Sequence, residues 1–119
     1  MKHRESELQR MCIRWFRYQY RCIARLLFAV PNGGARNRVE AAIMKGEGVT
    51  AGVSDVILLY SNGEYSSLCI EFKTEKGRQT ALQKEWQKLA EMYGNKYEIC
   101  RTFDEFKSLI ECYMSSKKI

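Results

Sequence analysis

Glu71 and Lys73 stand two residues apart in the stretch Leu68-Cys69-Ile70-Glu71-Phe72-Lys73. The stretch reads as an apolar strand that turns polar at its end. Side chains alternate faces along a strand, so Glu71 and Lys73 lie on one face with Cys69, roughly 7 Å apart. Leu68, Ile70 and Phe72 take the other face. Charged groups on a buried strand need a partner or a task. The chemistry open to them is metal binding by Glu71, with Lys73 orienting or activating water beside it. A surface ion pair on an edge strand explains the same tripeptide, since charges often alternate along strands.

Asp55 is the second candidate. It sits where the glycine-rich connection 46–52 becomes the β-branched run 53–60, which reads as a strand. Ser61-Asn62-Gly63-Glu64 predicts a type I′ hairpin turn, for which Asn-Gly is the strongest short signal. A hairpin makes the two strands antiparallel, so Asp55 converges with Glu71 and Lys73 at one end of the ribbon. Neighbouring strands lie about 4.8 Å apart, close enough for two carboxylates to share a cation. Hard oxygen donors suit Mg²⁺ or Mn²⁺. Such an ion polarises a phosphoryl oxygen and acidifies bound water. Lys73 would hold the attacking water or take its proton. This set supports phosphodiester hydrolysis without a histidine, and the sole histidine is His3 near a terminus. The alternative for Asp55 is a strand-start residue that hydrogen-bonds the loop.

The elements that would position these groups follow from periodicity and capping signals. Ser6 and Gln9 have capping-box spacing, and Leu8, Met11, Cys12, Trp15 and Phe16 recur at helical intervals, which predicts a helix from about Ser6 to Tyr20. Arg10, Arg14, Arg17 and Arg21 line another face, either solvated or touching phosphate. The run 26–30 reads as a strand, stopped by Pro31-Asn32-Gly33-Gly34. Arg36 and Arg38 flank the freed amides of that loop, as a phosphate site or as a solvated turn. A short helix is expected over 39–45. The following glycines lack the Gly-Lys-Ser/Thr ending of a nucleotide P-loop. Thr80 and Gln83 form a second capping box, opening a helix to about Met92 with Leu82, Trp86, Leu89 and Met92 or Tyr93 as its apolar stripe and Gly94 as its stop. That cap is a complete structural explanation of Gln83. A strand over 96–101 and a third capping box, Thr102 to Glu105, precede a helix whose apolar side is Phe106, Leu109, Ile110 and Tyr113. The tail 115–119 reads as frayed. The order predicts an α/β protein with a mixed sheet, helices on its faces and a right-handed parallel crossover into the last strand.

A length of 119 residues predicts one domain, 1–119. The hydrophobic share of 45% with 29% charged residues is that of an ordinary soluble domain. No apolar run approaches the ~20 residues of a membrane span, and the N-terminus lacks a signal peptide's apolar core, so the cytoplasm is the expected location. The five cysteines are odd in number and form no Cys-x-x-Cys pair, which disfavours a zinc ribbon and a disulfide framework. A net charge of +6 permits a polyanionic partner without requiring one.

The wider pattern is more specific than Glu-x-Lys. Asp55 followed by Glu71-Phe72-Lys73 resembles the PD-(D/E)xK nuclease motif. With an N-terminal Glu-Leu-Gln helix, Val30-Pro31-Asn32-Gly33-Gly34 and Arg36, Gly48-Val49 through Gly52-Val53-Ser54-Asp55, Gly77-Arg78, and Gln83 with Trp86, the chain resembles the VRR-NUC domain from about Glu5 to Arg101. The resemblance implies a restriction-endonuclease-like mixed sheet with an αβββαβ core, an extra helix before the central hairpin and a C-terminal helix. It implies Asp55 and Glu71 as ligands of Mg²⁺ or Mn²⁺, Lys73 as catalytic lysine and Gln83 beside them. It offers Glu7 as a further acidic ligand, with Glu5 as the competing alignment. Asn32, Arg36, Arg38, Lys76 and Arg78 are the candidate DNA contacts. The family's proline before the aspartate is Ser54 here, which puts loop rigidity in question more than chemistry. Similarity to small stand-alone members from phages and bacteria implies a homodimer that cuts four-way junctions or flaps during replication, repair or recombination. The other expectations are a catalytically silent DNA-binding module and an interaction protein whose basic helix meets an acidic partner.

Overall fold

The spacing Leu8, Cys12, Trp15, Phe16 places one apolar stripe along the first helix, and that stripe packs as expected, with Cys12 and Phe16 wholly buried. The computed structural model describes residues 2–31 and 37–115, the side chains of Lys2 and His3 apart. Helix α1 spans Lys2–Gln19, so it starts four residues before Ser6 and the first capping box is not used. Glu5 in the first turn suits the helix dipole there. Met11 falls off the buried stripe and is exposed.

A 3-10 turn, Arg21–Leu26, leads into strand β1, Leu27–Ala29. The strand is shorter than the run 26–30, because Leu26 belongs to the turn and Val30 lies just past the strand, where its amide donates to the Asp55 carbonyl at 2.8 Å. The candidate contacts Asn32 and Arg36 lie outside the described residues. Helix α2, Arg38–Gly46, is capped by Asn37, whose side chain accepts the Glu40 amide at 2.7 Å.

Strands β2, Val56–Leu58, and β3, Leu68–Phe72, pair antiparallel from Val56↔Ile70 to Leu58↔Leu68. The antiparallel expectation holds, and the type I′ geometry does not. Residues 59–67 connect the strands, and among the described residues no non-glycine has a positive φ, so Asn62-Gly63 is not type I′. Asn62 is used otherwise. Its Oδ1 accepts the amides of Glu64 (2.9 Å) and Tyr65 (2.8 Å), and its Nδ2 donates to the Tyr113 carbonyl at 3.1 Å. The loop is also tied to the last helix, and within it the Asn62 amide donates to the Tyr65 carbonyl at 3.2 Å.

Helix α3, Ala81–Met92, crosses over to β4, Lys96–Cys100, which runs parallel to β3. Helix α4, Phe103–Ser115, follows a cap in which Thr102 Oγ1 accepts the Glu105 amide. Residues 116–119 of the expected frayed tail lie outside the described residues. Among the described residues the strands form one mixed sheet in the order β1-β2-β3-β4. Strand β3 is buried on both faces. Leu68, Ile70 and Phe72 join Cys12, Phe16, Phe106 and Ile110 in the core, while Glu71 faces α3. The predicted stripe of α3 is mostly not core: Leu82, Leu89, Met92 and Tyr93 are exposed, and the helix buries Ala90. None of the described helices is long and apolar enough to cross a membrane.

Candidate active site

Continuing the β2–β3 register one step past Val56↔Ile70 sets Asp55 across from Glu71. Asp55 is anchored there, since its Oδ2 accepts the Phe72 amide at 2.7 Å. Lys73 extends β3 by one residue, its amide donating to the Cys100 carbonyl at 3.1 Å. Alternation therefore holds as far as the site, and Glu71 and Lys73 share a face. Lys73 Nζ lies 3.9 Å from Glu71 Oε2, and both side chains are nearly buried. That excludes the surface ion pair. Ser54 is wholly buried and its Oγ donates to the Val56 carbonyl at 3.1 Å, so a hydroxyl ties the chain where the family pattern has proline. Gly52 has φ +89, and a Cβ there would lie 2.6 Å from the Leu82 carbonyl oxygen. The approach of this loop to α3 requires glycine.

Glu71 is held on both carboxylate oxygens. Gln83 Nε2 donates to Oε2 at 2.8 Å and the Tyr97 hydroxyl to Oε1 at 3.4 Å. Gln83 is also the cap partner of α3, with Oε1 accepting the Thr80 amide at 2.9 Å while Thr80 Oγ1 accepts the Gln83 amide at 3.2 Å. Its two roles are one arrangement, because the cap turns the amide nitrogen toward Glu71. Tyr97 accepts in turn from Gln79 at 3.2 Å. Arg101 Nη1 donates to the carbonyls of Thr74 and Gly77, each at 2.7 Å, and so fastens the loop that follows Lys73. Tyr97, Gln79 and Arg101 were missed in the sequence. The parallel pairing Cys69↔Tyr97 sets Tyr97 one alternation from Glu71, and only that pairing reveals it.

Burial pushes the Glu71 carboxyl up to about 8, and the facing Asp55 charge adds to the rise, against the pull of Lys73. Burial raises Asp55 also; the Phe72 amide opposes this, and Glu5 adds to it. Two carboxylates that disfavour each other's charge at the floor of a cavity form a donor set that a hard divalent cation would neutralise. Among the described residues no three His, Cys, Asp or Glu side chains form a ready metal cage. Two facing carboxylates suit an ion that takes few protein ligands and keeps several waters, as Mg²⁺ does.

Glu5, not Glu7, is the acidic residue of α1 beside this pair. Glu5 lines the same cavities as Asp55, and its Oε2 accepts the Thr74 amide at 3.4 Å. Glu7 is exposed and lines none of them. Positions two apart point in different directions from a helix, so only one of the two can face the sheet end. One cavity, about 560 Å³, opens between α2 and α3 with Asp55, Glu71, Lys73 and Gln83 at one side and Met44, Val49 and Leu82 at the other. A second, about 700 Å³, runs along α1 from Glu5 and Asp55. Of the candidate DNA contacts, Arg38 is exposed at the start of α2, and Lys76 and Arg78 are exposed in the loop after Lys73. They do not line the cavities at the carboxylates.

A family model, the VRR-NUC domain, matches residues 2–104. The chain is also similar to a solved structure, a VRR_NUC domain protein, at 26% identity and a TM-score of 0.82, over 95% of this chain and 89% of the other. None of the curated proteins matches the chain.

Proposed function

The chain belongs to the VRR-NUC family, a nuclease-type domain family with a restriction-endonuclease-like fold, and on that premise we propose that it is a Mg²⁺- or Mn²⁺-dependent DNA endonuclease acting on branched DNA. The observation that carries the reading is Asp55 opposite Glu71 with Lys73 beside them in one cavity. Asp55 and Glu71 would hold the ion, with Glu5 next to them. When bound, the ion supplies Lewis acidity that polarises a phosphoryl oxygen and offsets charge on the leaving oxygen. Lys73 would orient the attacking water toward phosphorus and, as the neutral amine, take the proton that the water gives up, while the leaving oxygen is protonated from solvent. Gln83 and Tyr97 keep the Glu71 carboxylate in one rotamer and leave lone pairs for the ion. Junctions or flaps as substrate follow by analogy with small stand-alone members of the family. A homodimer would fit paired incisions, and the exposed apolar stripe of α3 offers it a surface.

The test is a panel of labelled four-way junctions, flaps, splayed arms and plain duplex with Mg²⁺ or Mn²⁺. Cutting of branched DNA should fall at least about 100-fold in Asp55→Ala, Glu71→Ala and Lys73→Ala, with circular dichroism unchanged. Undiminished cutting by the three variants would sink the assignment. Salt-sensitive binding by wild-type protein with no cutting under either metal would make it a silent DNA-binding module instead.

A further inference from the structure

We propose that Arg10 and Arg14 of α1 form the wall that holds the DNA backbone as it leaves the carboxylate site; this rests on the nuclease reading above. Arg10, Arg14 and Arg17 are spaced i, i+4, i+7 and so share one helix face. All three line the 700 Å³ groove that also contains Glu5 and Asp55. The groove has an acidic end and a basic end. At the first, the Asp55 carbonyl accepts the Val30 amide just past β1; at the second, Arg17 Nη2 donates to the Leu27 carbonyl at 3.1 Å, where β1 begins. The groove therefore runs along α1, from Glu5 and Asp55 to Arg17. Arg17 is committed to the protein. Arg10 and Arg14 are exposed, and among the described residues neither makes an ion pair or a side-chain hydrogen bond. Arg21, the next basic residue of the series, stacks on Tyr18 at 5.0 Å and is not part of the groove.

An arginine row on a helix is ordinarily just solvated. Here the row lines a groove that reaches Asp55 of the carboxylate pair, with Glu5 beside it, and that changes its physics. The carboxyl groups at this end offer a polyanion no attraction, so attraction must come from cations close by. Arg10 and Arg14 lie one to three turns from Glu5 along α1, with about 6 Å of rise between them. That reach suits successive phosphates of one strand, each met by a planar fork of donors. The cavity on the other side of the carboxylates is lined by Met44, Val49 and Leu82, and Lys45 and Lys73 are its basic residues. The charge asymmetry assigns the sugar-phosphate backbone to the α1 side.

The measurement is fluorescence anisotropy with labelled branched DNA in EDTA across a salt series, followed by steady-state cleavage with Mg²⁺, on the full chain. The double variant Arg10→Ala with Arg14→Ala should bind about tenfold or more weakly at about 0.1 M salt, and its salt dependence should be shallower by about one to two ions. Its KM should rise by a similar factor while kcat at saturating DNA stays within about twofold. Arg10→Lys with Arg14→Lys should recover most of the salt slope and only part of the affinity. Unchanged affinity and slope in the alanine pair overturn the proposal, as does a loss of kcat with KM unchanged. If wild-type protein neither binds nor cuts DNA, the nuclease reading itself fails, an outcome distinct from a wild type that binds and a variant that binds equally well.

Discussion

Glu71 costs the fold stability in order to stand ready. Its carboxyl moves from an ordinary 4.5 to about 8, chiefly through burial and then through Asp55. A raised acid favours the folded state while it is protonated. Its contribution is complete below pH 4.5 and is lost as pH climbs through about 8. Asp55, raised as well, acts in the same direction. In EDTA, Glu71→Gln should therefore melt higher than wild type at pH 8.5 by an amount worth about 1–3 kcal/mol, with the gap closing toward pH 5. Loss of the ion partner of Lys73 offsets part of the gain. Thermal melts at the two pH values check this, and a variant less stable than wild type at the higher pH would refute it. The same substitution should abolish cutting, the usual exchange of stability against function at a charged site.

Helix α3 joins its own cap to the site through Gln83. The two functions can be separated because the Thr80 backbone amide, not its hydroxyl, donates to the Gln83 side chain. Thr80→Ala should cost about 1 kcal/mol of stability and leave cutting near wild type. Gln83→Ala should cost a similar amount and lower kcat about tenfold or more, because Glu71 loses its amide donor. Equal losses of activity in both variants would mean that helix integrity, and not the amide, is what matters. Urea melts and single-turnover cleavage provide the two readouts. The loop 74–77 shows the same economy, with one guanidinium, Arg101, holding the backbone that follows Lys73.

At the scale of the molecule, α3 turns Leu82, Leu89 and Tyr93 to solvent along one stripe, flanked by Met92. An exposed apolar helix stripe is where the proposed homodimer would pack. If the dimer forms there, sedimentation should give a dimer mass for wild-type protein and a monomer mass for Leu89→Glu with Met92→Glu. Both positions are exposed, so the monomer should keep its fold within about 0.5 kcal/mol. A wild type that stays monomeric at tens of micromolar would exclude the dimer, and a variant that remains dimeric would move the interface elsewhere.

Local rules were enough for much of the site. Strand alternation put Glu71 and Lys73 on one face, antiparallel pairing brought Asp55 across from Glu71, and the Thr80-Gln83 box and Gly94 marked the limits of α3. These features depend on residues a few positions apart, whose geometry the backbone itself imposes. What could not be read was orientation. Whether Glu5 or Glu7 faces the sheet end depends on how α1 is rotated, and the packing of Cys12 and Phe16 decides that. Asn62-Gly63 does not take the type I′ geometry, and the Asn62 side chain bridges its own loop and the Tyr113 carbonyl far along the chain. Leu82, Leu89 and Tyr93 of the α3 stripe have helical period yet face solvent, while Trp86 packs on Tyr97 and Ala90 goes inward. Tyr97 and Arg101 reach the site only through the parallel pairing of β4 with β3. Periodicity determines which residues share a face; only the packing of the whole chain decides where each face points.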